Sequence, residues 1–151
     1  YRQKCALPQD IPPELRDPAG VFVSLKKHGK LRGCIGTIYP TRRTAAEEIA
    51  AMAIESGTAD PRFPPVEVDE LEELSYSVDI LKPPQRVGGI EELDPRRYGV
   101  IVRSGRKTGL LLPDLPGVDT PEEQVAIAKQ KAGIGPGEPF ELERFEVIRY
   151  C

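Results

Sequence analysis

Two hydrophobic periods alternate along this chain and divide it into strands and helices. Val21-Phe22-Val23-Ser24-Leu25 is a short β-branched and apolar run, the pattern of a strand. His28-Gly29 supplies a two-residue turn, with glycine free to take positive φ, and residues 31–38 read as the returning strand of a hairpin that Pro40 closes. Leu74–Leu81 alternates at period two and predicts a strand stopped by Pro83-Pro84. Residues 99–102 and 109–112 predict two more strands around a turn over 104–108, and residues 140–150 predict a last one.

Helical spacing takes over in two places. Residues 44–56 carry Ala45, Ile49, Met52 and Ala53 on one face, behind the capping-box spacing Thr44-Ala45-Ala46-Glu47, with Gly57 as the expected stop. Thr120-Pro121-Glu122-Glu123 combines an N-cap, proline at the first helical position and a capping-box glutamate. Val125, Ala128 and Ala132 share the face that follows, and Gly133 ends the helix. Pro8, Pro12, Pro13 and Pro18 predict an extended, non-helical entry, Asp60-Pro61-Arg62-Phe63-Pro64-Pro65 a rigid connector, and residues 69–73 a short helical turn. Hairpins dominate, no strict βαβ alternation occurs and no repeat is evident. The expected fold class is therefore α+β, with mainly antiparallel pairing and about two principal helices.

Composition changes this picture little. The 151 residues suit one domain spanning 1–151. No apolar run approaches the roughly 18 residues of a membrane span, and Tyr1-Arg2-Gln3-Lys4 does not resemble a signal peptide, so no membrane association and a cytoplasmic location are expected. The chain does not start with Met, which leads us to expect a trimmed chain or one cut from a longer protein.

Charge is more informative, because the net −3 hides an uneven distribution. Residues 1–46 carry nine Lys/Arg against three Asp/Glu, a balance of +6, whereas residues 47–95 carry three against thirteen, a balance of −10. The basic section includes Lys26, Lys27, Lys30, Arg32, Arg42 and Arg43. It reads either as a site for a small anionic ligand or as surface charge neutralised by the acidic middle. A sequence pI near 5.3 argues against nucleic-acid binding. Cys5, Cys34 and Cys151 are an odd number without C-x-x-C spacing and there is one histidine, so neither a disulfide framework nor a metal site is expected, and no cofactor.

The chemistry-bearing candidate is Leu31-Arg32-Gly33-Cys34-Ile35-Gly36-Thr37. If Lys27 pairs with Lys30 across the turn, counting back sets Val23 opposite Cys34. Arg32, Cys34 and Gly36 then share one face, where a guanidinium would favour the thiolate. Glycines at 33 and 36 weaken a strand, as happens at a bulge or where a ligand or another backbone approaches. A simple Cys–His dyad is disfavoured: His28 is six residues from Cys34, ~20 Å along a strand, against a hydrogen-bond reach of ~3 Å, so a dyad would need a large bulge or another subunit. The alternatives left open are a functional thiol and a small buried hydrophobe. Asp60-Pro61-Arg62-Phe63 reads either as a self-capped turn or as a rigid loop presenting a cation.

Taken in order, Gly20-Val21-Phe22-Val23-Ser24-Leu25, the Leu31-to-Thr37 string, Asp60-Pro61-Arg62-Phe63, Gly109-Leu110-Leu111-Leu112-Pro113 and Lys131-Ala132-Gly133 resemble the AMMECR-type domain family. The resemblance covers nearly the whole chain, and it implies a two-part α+β fold with the Cys34 string near a cleft; the helix that commonly precedes the proline-rich entry in this family is expected to be missing here or to survive only as its end. It also implies a likeness to protein A of the AmmeMemoRadiSam system, whose neighbours are a Memo-like protein related to extradiol dioxygenases and a radical SAM protein. Carried over by position, Cys34 and Arg32 are the candidate catalytic pair. Gly33, Gly36, Thr37, Asp60, Arg62 and Phe63 are the candidate ligand-binding residues. A non-catalytic module that docks on a Memo-like partner is the competing expectation.

Overall fold

The computed structural model describes Leu7 and residues 9–151, so expectations that fall on Cys5 and Pro8 lie outside the described residues. The chain divides into two compact units, one running to Leu81 and taking back Ile148–Cys151, the other formed by Lys82–Val147. Each is built on a four-stranded sheet. The strands are β1 (Val21–Lys27), β2 (Lys30–Gly36), β3 (Leu74–Leu81), β4 (Gln85–Arg86), β5 (Gly99–Ser104), β6 (Lys107–Leu111), β7 (Glu141–Phe145) and β8 (Val147–Tyr150). Their orders are β2-β1-β3-β8 and β4-β7-β5-β6. The fold is α+β with two antiparallel sheets and two principal helices, α1 (Ala45–Thr58) and α2 (Pro121–Ala132).

In the first unit the alternation of β1 puts Val21, Val23 and Leu25 on the face that α1 covers, where they pack with Met52, Val66 and Ile80. His28 and Gly29 make the hairpin turn with φ of 52° and 77°, the left-handed pair that matches strand twist. The expected register fails by one residue. Lys27 does pair with Lys30, yet Leu25 pairs with Gly33 and Lys26 with Leu31, which leaves Arg32 as the extra residue of a bulge. Cys34 therefore lies opposite Ser24 instead of Val23, on the face away from α1.

Thr44 caps α1, its hydroxyl accepting the Glu47 amide at 3.1 Å. The helix runs through Gly57 to Thr58 instead of stopping at Ser56, and the Gly57 carbonyl accepts the Val66 amide at 2.7 Å. Residues 68–73 form the expected helical turn, of 3-10 type. The proline-rich entry also contains a 3-10 turn at Pro13–Leu15, because Pro13 suits a first helical position.

In the second unit β5 and β6 form a tighter hairpin than expected, turning at Gly105 with φ of 60°. α2 packs over Val100, Val102, Leu111 and Leu142 and ends at Gly133 in the left-handed conformation. The last predicted strand is two: β7 pairs with β5, and after Glu146 the chain joins the other sheet as β8 beside β3. The apolar pattern runs through this change of sheet, which is why it reads as one strand.

Candidate functional site

The expected site residues come together on the edge strand of the first unit and the connector that follows α1. β2 is an edge of its sheet, so the amides and carbonyls facing away from β1 need partners from elsewhere. Asp60 Oδ2 accepts the Cys34 amide at 3.0 Å, and Ser56 Oγ accepts the Ile35 amide at 2.9 Å while donating to the Val23 carbonyl at 2.8 Å. The glycine at 33 has a packing reason, since a Cβ there would overlap the Ser56 carbonyl oxygen on α1. Gly36 is equally confined, by the Val21 carbonyl and the Phe22 ring. Both glycines are consumed by backbone and side-chain approach within the unit.

Cys34 itself is half-buried. Ser24, its cross-strand neighbour, donates its hydroxyl to Cys34 Sγ at 3.3 Å. Sequence reasoning missed Ser24, because the unbulged register sets Val23 there; the glycine after Arg32 is the one local sign of a bulge.

Asp60-Pro61-Arg62-Phe63 is a self-capped turn that also reaches β2. Asp60 Oδ1 accepts the Arg62 amide at 3.0 Å and Nε at 3.1 Å, while Oδ2 accepts Nη2 at 2.8 Å. The Arg62 guanidinium, followed by the Cys34 and Arg62 amides, outweighs burial and holds the Asp60 carboxyl far below the usual range. Arg62 stays half exposed, and its Nη2 donates to the Cys34 carbonyl at 3.5 Å. Its own pKa is raised, because the Asp60 carboxylate outweighs the effect of burial.

Arg32 is engaged differently from the expectation. The bulge directs it to Glu70, which accepts Nε at 3.0 Å and Nη2 at 3.2 Å. Lys27 shares Glu70 at 3.1 Å and reaches Glu73 at 3.4 Å, and His28 pairs with Glu73 at 3.1 Å. Arg32, the Glu67 amide and Lys27 together hold the Glu70 carboxyl at about 2. The acidic middle thus meets the basic hairpin. The cation that contacts Cys34 is Arg62. Phe63 lies beneath both guanidiniums, with Arg62 at 5.4 Å and Arg32 at 6.0 Å from its centroid.

Thr37 sits past the end of β2, donating its amide to the Val21 carbonyl at 2.8 Å and its hydroxyl to Glu48 at 3.4 Å. Glu48 is fully buried and was not singled out by sequence reasoning. Among the described residues no group of three His, Cys, Asp or Glu is placed to hold a metal ion. No helix among them is long and apolar enough to cross a membrane.

Comparison with known proteins agrees with the fold. A family model described as AMMECR1 matches residues 1–150. A protein of Clostridium acetobutylicum is 54% identical over 145 residues, covering 95% of this chain, and the chain spans 31% of that protein's length. A protein of Thermotoga maritima is also 54% identical over 145 residues, with 94% of this chain and 83% of the relative covered. The crystal structure of the uncharacterized protein PH0010 from Pyrococcus horikoshii superposes with a TM-score of 0.89 at 35% identity, over 97% of this chain and 80% of that one. On the family match and these relatives together, the chain belongs to the AMMECR1 family.

Proposed function

We propose that this AMMECR1-family chain is a component of an AmmeMemoRadiSam-type modification system, working beside a Memo-like protein and a radical SAM protein. In this reading its Cys34 face takes a small ligand bearing an anionic group. The system is what the family resemblance implies. The observation that supports the site is the half-buried Cys34, whose sulfur accepts the Ser24 hydroxyl at 3.3 Å while the half-exposed Arg62 guanidinium contacts the Cys34 carbonyl. A hydroxyl donor and a nearby guanidinium are partners for an anionic group brought to this face. Cys34 is then the reacting or receiving group, Ser24 and Arg62 its electrostatic support, and Phe63 an aromatic wall beneath the guanidinium.

The test is alkylation of Cys34 by iodoacetamide across pH, with exposed Cys151 as internal reference. Reaction faster than at Cys151 near neutrality, slowed by Arg62→Ala and by inorganic phosphate, supports the reading. A Cys34 that stays inert until the protein unfolds removes it.

A second reading is favoured by one observation: the space a side chain would take at Gly33 and Gly36 is already filled by the unit's own backbone and side chains, which gives both glycines a packing reason that needs no ligand. The domain is then a non-catalytic module that docks on a Memo-like partner, with Cys34 packed at its surface. Cys34→Ser would leave that affinity unchanged in this case, and a large loss on so conservative a change would refute it. Bulky replacements of Gly33 or Gly36 cannot test docking, because they break the fold first.

A further inference from the structure

The two units share more than a sheet and a helix. In the first, the hairpin β1-β2 leads to α1 and then to β3, which pairs antiparallel with β1. In the second, the hairpin β5-β6 leads to α2 and then to β7, which pairs antiparallel with β5. Read from the hairpin's second strand, the orders are β2-β1-β3 and β6-β5-β7, each sheet completed by one strand from outside this run.

Side chains repeat as well as topology. One constant interval separates Gly33 from Gly109, Thr44 from Thr120, Glu47 from Glu123, Glu48 from Gln124 and Gly57 from Gly133. Gly33 and Gly109 do the same work: a Cβ on either would overlap a carbonyl oxygen of the covering helix, that of Ser56 or that of Ala128. Thr44 and Thr120 cap their helices alike, accepting the amides of Glu47 and Glu123 at 3.1 and 3.2 Å. Glu48 and Gln124 are both fully buried in the first turns of their helices.

The units differ at that last pair. Gln124 donates to the Tyr98 carbonyl at 2.8 Å, and its Oε1 is buried without a hydrogen-bond partner. Glu48 is saturated. Its oxygens accept the Thr41 amide at 2.6 Å, the Arg42 amide at 2.8 Å, the Thr41 hydroxyl at 2.9 and 3.1 Å, Arg42 Nη1 at 3.2 Å and the Thr37 hydroxyl at 3.4 Å. All of these donors belong to the segment that follows the Cys34 strand. A buried charge is costly unless it is paired and hydrogen-bonded, and the second unit folds around a neutral amide at the same place.

We infer that the two units are variants of one hairpin–helix–strand module, and that Glu48 is a positioning residue of the first. Its carboxylate fixes residues 37–42 behind the Cys34 strand, a task the equivalent Gln124 does not perform. The inference concerns the backbone of this segment and does not depend on Cys34 being reactive.

The reciprocal pair Glu48→Gln and Gln124→Glu, each in the full chain, tests it by residue-resolved amide hydrogen exchange. Glu48→Gln is expected to leave α1 and the β1-β2-β3 sheet protected while exchange at Thr41 and Arg42 rises about ten-fold, because a neutral acceptor makes bonds roughly half as strong as a charged one. Gln124→Glu is expected to speed exchange throughout the second unit, where no donor waits for a carboxylate. Glu48→Gln that opens the whole first unit would show the charge to be a requirement of the module. Unchanged exchange at Thr41 and Arg42 would show that it positions nothing. Either result overturns the inference, as does a Gln124→Glu protein with undiminished protection. Loss of Cys34 alkylation alone touches only the proposed function.

Discussion

The carboxylate of Asp60 joins the Cys34 amide to the Arg62 guanidinium, accepting the first at 3.0 Å and the second at 2.8 Å. This one buried side chain closes the free edge of β2 and shapes the turn that holds Arg62 and Phe63. Asp60→Ala removes the acceptor of the half-buried Cys34 amide and the partner of the half-exposed Arg62 guanidinium. It is expected to cost about 1–3 kcal/mol in urea unfolding for the lost amide acceptor alone, and to speed exchange at Cys34. Asp60→Asn keeps an acceptor for the amide and should lose clearly less. Equal losses would mean that the ion pair with Arg62 matters more than the strand edge.

The glycines of the Cys34 string act on stability first. Gly33→Ala forces a methyl group onto the Ser56 carbonyl, and Gly36→Ala forces one onto the Val21 carbonyl and the Phe22 ring. Overpacking of this kind costs about 1–3 kcal/mol. Cys34→Ser, on the face away from α1, should cost less than either. Thermal melts of the three variants decide it, and a Gly33→Ala protein as stable as the parent would refute the packing account.

Much of this fold is legible in the chain because local rules and tertiary packing agree. Thr44 and Thr120 cap the two helices expected of them, His28-Gly29 turns the first hairpin, and Leu74–Leu81 is a strand over the expected residues. The failures lie where tertiary structure overrides a local signal. Gly57 resembles a helix stop, but its carbonyl partner is Val66 and the helix continues through it. The bulge at Arg32 leaves no periodic trace, and the glycine beside it fits a ligand or backbone approach as well as a bulge, so the shift of Cys34 from Val23 to Ser24 is not fixed by the pattern. Glu48 reads as one more surface acid in a helix, because its donors come from a loop whose path the hydrophobic pattern does not fix. The likeness between the two units is hidden for a related reason. The shared glycines and caps are few, and the pairs between them, such as Met52 and Ala128, keep burial without keeping identity.

Arg32 and Arg62 exchange the roles that spacing along the strand suggests, and this has a kinetic consequence. Arg32 is committed to Glu70, whereas Arg62 contacts the Cys34 carbonyl. Arg62→Ala is expected to slow Cys34 alkylation at neutral pH more than Arg32→Ala does, with Cys151 unchanged in both. The reverse order would return Arg32 to the thiol.

Acid should open the hairpin base before the rest of the first unit. Glu70 accepts Arg32, the Glu67 amide and Lys27, and these hold its carboxyl at about 2 instead of the ordinary 4.5. Its folded value is depressed, so below about 4.5 the unfolded chain binds a proton that the folded one refuses. The stabilisation is therefore complete above pH 4.5 and is lost as pH falls toward 2. Glu73, lowered first by His28 and then by Lys27, adds to the loss in the same direction. Urea unfolding between pH 7 and pH 2 should show the parent losing stability more steeply below pH 4.5 than Glu70→Gln, whose side chain has no proton to take up. Both groups are near the surface, so 1 M salt should narrow the difference by screening. Parallel pH profiles for parent and variant would mean that Arg32 and Lys27 contribute nothing through Glu70, and that the bulge alone positions Arg32.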